Sequence, residues 1–184
     1  MKMKLSEVGM LKNGINYLKQ QIKFPCKIIG VGDFSNNVFP KYSTLNSIES
    51  SIVSGDFLLE EGDIIFVRSN GNKNLVGRSM YINRIDENVT FSGFCIRFRP
   101  NKEIVDPLFL FYLLRSPSCR KQYSYSQQTN ITNLSQDVLG DVIFDLPTME
   151  VQKKYAGILY NIDSKIENNF AINDNLYYQY SRVA

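Results

Sequence analysis

The chain contains no histidine. That absence removes the usual imidazole acid–base chemistry, Ser-His-Asp nucleophilic catalysis and His-ligated metal sites. Cysteine is scarce: Cys26, Cys95 and Cys119 are odd in number and far apart, so neither a disulfide framework nor a Cys-x-x-Cys site is indicated, and all three are expected to be small buried apolar residues. Long apolar runs are missing too. No apolar stretch follows Met1-Lys-Met-Lys-Leu5 and no segment approaches the ~20 residues of a membrane span, so neither a secretory signal nor a membrane anchor is expected, and the chain is placed in the cytoplasm. Catalytic signatures are equally thin. There is no Asp/Asn-Pro-Pro-aromatic motif or Gly-rich cofactor loop for base methylation, and no Glu-x-Lys for a nuclease carboxylate cluster. Residues 71–79 (GNKNLVGRS) look like a phosphate loop at first sight, but the glycines are one residue too far apart and Arg78 stands where that loop needs lysine. No cofactor or metal is implied, and the chain alone reads as non-catalytic.

What is present is an ordinary soluble composition, 43% hydrophobic and 21% charged, in 184 residues. That length supports one globular domain, placed at 1–147, and one projecting element, placed at 148–184. The net charge of +3 hides a gradient: Lys and Arg against Asp and Glu number 7 and 7 over residues 1–67, 10 and 4 over 68–121, and 4 and 7 over 122–184. A basic middle suits a polyanionic partner. Charge alone fits a solvated surface equally well.

The projecting element has the most regular pattern. Steps of three and four give Tyr155, Leu159, Ile162, Ile166, Asn169, Asn173, Leu176 and Tyr180, a stripe with a period near 3.5. No proline falls between Met149 and Ser181 and the only glycine is Gly157, so a helix of ~33 residues, on the order of 50 Å long, is predicted. A small domain cannot cover such a rod. Its Leu and Ile residues each gain roughly 1.5 to 3 kcal/mol on burial, so the distal half is expected to pair with another helix, while Asn169 and Asn173 set register at some cost in packing. Over the first half, Ala156 and Ile158 widen the apolar face beside Tyr155 and Leu159, and this half is expected to lie on its own domain.

Before that helix the pattern is β-rich. Strands are predicted at 27–31, 58–59, 63–68, 77–82, 94–98 and 142–144, with 63–68 apolar enough to be buried on both faces. In 94–98, Phe94, Ile96 and Phe98 are expected to face the core, with Cys95, Arg97 and Arg99 on a basic outer face where the two arginines are structural. Residues 35–54 are expected to be an exposed loop, and 75–76 and 89–91 connections. Asp106-Pro107 caps a short buried helix that ends at Ser116-Pro117, and Asn133-Leu134-Ser135 caps another ending at Gly140. Two polar segments stand out: 68–74, which follows the buried strand directly, and the uncharged amide- and hydroxyl-rich 123–130.

Taken in order, the segments 29–33 (IGVGD), 61–68 (EGDIIFVR) with 76–78 (VGR), 106–110 (DPLFL), 133–135 (NLS) and 146–148 (LPT) with Gln152, Ile158-Leu159, Ile162-Asp163, Lys165-Ile166 and Asn173 resemble the specificity subunits of type I restriction-modification systems. The resemblance covers nearly the whole chain. It implies an α+β fold: a β-rich target recognition domain with short helices that reads duplex DNA, followed by a long conserved helix that pairs as an antiparallel coiled coil and docks on methyltransferase (modification) subunits. Typical members carry two recognition domains and two such helices in one chain. This one has no internal repeat, so it resembles a half-length form whose partner is a second copy, as a homodimer, or another half-subunit.

On that reading the DNA contacts are expected from Arg68, Asn70, Asn72, Lys73, Asn74 and Arg78, from Gln127, Gln128, Thr129 and Asn130, and more weakly from Lys41 and Tyr42. Arg and Lys would position the module on phosphates, while amides can read base edges. The competing reading is an interaction module or remnant that docks a partner through the long helix and has no DNA role.

Overall fold

The apolar run after Gly62 forms the central strand β5 (Ile64–Val67), whose four residues are all buried. The computed structural model describes residues 1–17, 23–34, 38–124 and 133–181, with 179–181 through the backbone alone. A strand buried on both faces needs a layer on each side. Ile64 and Phe66 enter one cluster with Ile96, Phe98, Phe111 and Leu114, whereas Ile65 and Val67 enter a second with Ile29, Met80, Phe91 and Cys95.

β5 lies in a four-stranded antiparallel sheet in the order β2 (Gly9–Asn13), β8 (Cys95–Pro100), β5, β6 (Ser79–Tyr81). Helices α1 (Pro107–Arg115), α2 (Pro117–Ser124) and α3 (Gln136–Gly140) supply residues to the first cluster. The second cluster draws on a three-stranded sheet in the order β4 (Asn46–Glu49), β3 (Pro25–Ile29), β7 (Val89–Phe91). A ribbon of β1 (Lys2–Lys4) and β9 (Ile143–Asp145) leads to α4 (Met149–Ser181). This is the expected α+β class, with the long terminal helix where its periodicity predicts it. The helix starts follow their local chemistry. The Asp106 carboxylate accepts from Phe109 N at 2.8 Å with Pro107 in the first turn, and Ser135 Oγ accepts from Val138 N at 3.2 Å.

Several sequence expectations are corrected. Within 35–54, expected to be a loop, Asn46–Glu49 is a strand paired with β3, and Leu45 and Ile48 are buried. Val89–Phe91 is a buried strand parallel to β3, not a connection. Segments this short have no periodicity of their own, and their extended form comes from the neighbour they bond. Residues 58–59 are not a strand: Leu59 is buried with its N–H on Val89 O at 2.8 Å, after a short 3-10 turn. Pro117 opens α2 as well as closing α1. The outer face of β8 is also covered, because the second sheet lies there. Cys95 is fully buried, and burial pushes its thiol up to about 12. Arg97 is buried and donates to the carbonyls of Asp56 and Leu58. Phe94, expected inward, is outward.

Gly77 carries one local demand of the fold. Its φ is 78°, and a Cβ there would lie 2.9 Å from the Tyr123 ring. Gly77→Ala is expected to cost about 1–3 kcal/mol, read as a lower urea midpoint with the far-ultraviolet spectrum of the folded state unchanged.

Candidate nucleic-acid interface and helix face

The polar loop 68–78 leaves β5 and returns into β6, and its base is clamped. Arg68 N and Ser69 N both donate to Phe94 O, at 2.8 and 3.3 Å, Arg68 Nη1 donates to Gly93 O at 3.3 Å, and Leu134 N donates to Arg68 O at 2.8 Å. Ser69 also forms an antiparallel bridge with Asn133. Further out, Asn70 Oδ1 accepts from Asn72 N at 2.9 Å and Asn72 Oδ1 from Asn74 N at 3.0 Å. These successive Asx turns use the side-chain oxygens and leave the NH2 donors of the same amides. Lys73 and Asn74 are exposed, and Arg78 is half-buried where the loop returns.

Gln127, Gln128, Thr129 and Asn130 lie outside the described residues. The described ends on either side of them meet the 68–78 loop. On the α2 side, Arg120 Nη1 donates to Gly77 O at 3.2 Å, and on the other Asn133 bridges Ser69. Lys41 and Tyr42 are not brought to this loop. Tyr42 donates its hydroxyl to Arg84 O, just beyond β6 and therefore at the opposite end of the β5–β6 hairpin. Burial first, then the nearby Asp86 carboxylate, push its phenol up to about 12. Its ring packs against the second core cluster.

Of the stretches that build the clamped end, 64–85, 88–102 and 107–136 contain no Asp or Glu, whereas Asp33, just past the acid-free 8–32, is near enough to act on the Cys95 thiol. Arg68, Lys73, Arg78, Arg115 and Arg120 belong to these stretches, and Arg115 Nη1 reaches Ser79 O at 3.3 Å beside the Gly77 contact of Arg120. Spacing-based reasoning passed over Arg115, Arg120 and Asn133. The signal that could have found them is the acid-free run 107–136, in which all three lie. Arg99 serves the interior instead, with Nε and Nη2 each 2.8 Å from the Asp63 carboxylate.

The second candidate surface is on α4. Its attachment begins with Gln152, 1% exposed, whose Oε1 accepts from Asp106 N at 2.8 Å and whose Nε2 donates to Pro147 O at 2.9 Å. Ala156 is buried below it, Tyr160 meets Phe39 edge-on, and the Tyr112 hydroxyl donates to Asp163 at 2.9 Å. Burial and that hydrogen bond push the Tyr112 phenol above its usual range. Positions 152, 156, 160 and 163 define a face about 100° round the helix from the apolar seam. Tyr155, Ile158 and Leu159 are therefore not packed on the head as expected; they stay largely in solvent with Ile162 (50% exposed), Ile166 (45%) and Leu176 (57%). Asn169 and Asn173 are exposed in the same row, while the side chain of Tyr180 lies outside the described residues. Among the described residues, no helix is long and apolar enough to cross a membrane.

Residues 1–177 match the family model described as the type I restriction modification DNA specificity domain. The chain belongs to that family. Among curated relatives, it is 29% identical over 153 residues to the type I restriction enzyme HindI specificity subunit of Haemophilus influenzae, covering 80% of this chain and 32% of that one. Among solved structures, it resembles a chain from a study of type I restriction-modification complex assembly and conformational transition, with a TM-score of 0.68 at 16% identity over 91% of this chain and 39% of the other. The HsdS subunit of Thermoanaerobacter tengcongensis gives a TM-score of 0.65 at 17% identity, over 91% and 43%. The specificity-domain fold is thus shared, and the chain spans about a third to two-fifths of the length of these relatives.

Proposed function

We propose that this specificity domain reads a short sequence in double-stranded DNA as half of the specificity subunit of a type I restriction-modification complex. Two copies, or this chain and a second half-subunit, pair antiparallel through α4. The pair sets two recognition domains (1–147) on a bipartite target and offers its helices (148–184) to methyltransferase subunits, which carry the chemistry; this chain is not itself an enzyme and acts in the cytoplasm. The observation that carries the reading is the apolar stripe of α4. It stays in solvent although the same helix is already fastened to the head by a different face, so what it lacks is a partner helix. At the clamped end of the head, Arg68, Lys73 and Arg78 meet phosphates and Asn70, Asn72 and Asn74 present amides to base edges; from their chemistry alone, Gln127, Gln128, Thr129 and Asn130 join the base contacts. Lys41 and Tyr42 reach DNA only where the duplex extends to the other end of the β5–β6 hairpin.

The test of DNA binding is its salt dependence. With about six phosphates neutralised, the logarithm of affinity for random duplex falls against the logarithm of salt with a slope near −5. A flat line measured by fluorescence anisotropy with the full chain removes the reading.

A further inference from the structure

The clamped end carries one side chain that the polar contacts do not account for. Phe94 is 58% exposed, yet both neighbouring positions are held in place. Cys95 is fully buried in β8 with its N–H on Ser92 O at 2.8 Å, and Gly93 N donates to Ile15 O at 2.7 Å. Gly93 also lies close under the Asn16 side chain, whose Oδ1 would stand 2.2 Å from a Cβ there and would have to swing away. Phe94 itself donates N–H to Ser92 Oγ at 3.3 Å, and its carbonyl takes the two loop donors Arg68 N and Ser69 N. The ring therefore projects from a backbone with little freedom to lose on binding.

Single exposed apolar side chains are common on any surface. What separates Phe94 from Phe24 and Met10 is its electrostatic setting. Phe24, also exposed, donates its N–H to the Glu49 carboxylate, and Met10 lies opposite Arg99, which the carboxylates of Asp63 and Glu60 neutralise. Phe94 sits against Arg68, with no acid between residues 88 and 102 or 64 and 85. An apolar ring beside a cation suits a surface that is anionic overall and has an apolar feature within reach. In duplex DNA that feature is the 5-methyl group of thymine in the major groove, the one apolar mark among the base edges there. We infer that Phe94 is a specificity-determining contact that reads a thymine methyl. This rests on the duplex-reading function proposed above and adds to it a base and an atom.

The test uses the full chain and a randomised duplex pool with fixed flanks. The tightest duplex selected is synthesised with thymine and again with deoxyuridine at every selected thymine position, which deletes the methyl and keeps the hydrogen-bonding pattern. The chain should bind the thymine form more tightly, by about fourfold per methyl read. Phe94→Ala, whose thermal melt should match the parent because the ring is exposed, should lose on the order of tenfold on the thymine form and bind both forms alike. Arg68→Ala should weaken on both forms and keep the thymine preference. The inference is overturned if the parent shows no thymine preference, or if Phe94→Ala keeps it. In both cases salt-sensitive duplex binding would leave the parent reading standing. Retention of no duplex at all sinks both together.

Discussion

Replacing Ile162 and Ile166 together by Asp is expected to halve the mass of the chain in solution, from 42.4 kDa for a pair (2 × 21.2) to 21.2 kDa, without unfolding the head. Both residues lie in the seam and are about half exposed in the single chain, so Asp is solvated at either position when no partner is present. In a pair the same positions are knobs in an apolar interface, and four isoleucines are lost at once. At roughly 1.5 to 3 kcal/mol each, and with carboxylates left facing a desolvated seam, the association constant should fall by more than about a thousandfold. Sedimentation equilibrium reads the mass directly. A parent chain that is already monomeric, or a variant whose mass does not change, rejects pairing through this face. Gln152, Ala156, Tyr160 and Asp163 are untouched, so the helix should keep its attachment and the thermal transition of the head should move little. Duplex binding should drop with the mass, because each head then holds DNA without the effective concentration supplied by its neighbour.

How far this architecture can be read from the amino-acid sequence depends on how much of each element's reason for existing is local. α4 is legible because 33 residues without proline repeat one pattern. The start of α1 is legible because Asp106 and Pro107 act within one turn, and β5 because four consecutive apolar residues behind a glycine turn have nowhere to be but inside. β4 and β7 are not legible, since three or four residues carry no period and are made extended by β3, which lies far away in sequence. The rotation of α4 on the head is hidden for a related reason. A polar residue, Gln152, sets the inward face by answering the N–H of Asp106 and the carbonyl of Pro147, and no apolar pattern announces that. Of the candidate contacts, 68–78 could be found as a polar loop behind a rigid strand. That it is clamped to the turn at Gly93-Phe94 and to Asn133 is a tertiary fact, and so is the exposure of Phe94, which simple alternation places inward.

The largest effect expected on the head itself comes from Asp63→Ala, a loss of about 3 kcal/mol or more in unfolding free energy, measured by urea titration. Asp63 is 1% exposed, and its carboxylate accepts three donors at 2.8 Å: Arg99 Nε, Arg99 Nη2 and the backbone N–H of Glu60. Those bonds hold the Arg99 guanidinium above its ordinary pKa, with the hydrogen bond to Asp63 the leading cause. Removing the carboxylate leaves a fixed charge half inside the protein with two partners: the Leu58 carbonyl at 2.9 Å and Glu60, which is 62% exposed and a weak substitute. The loss is thus mainly the penalty of an uncompensated cation and an orphaned turn N–H, not the net worth of the pair. That distinction gives the experiment its second arm. Asp63→Leu combined with Arg99→Met removes both charges and keeps apolar volume, so it should recover more than half of the loss. A double variant as unstable as Asp63→Ala would mean that the carboxylate matters chiefly as the acceptor closing the 60–63 turn, where Gly62 sits at a φ of 95°.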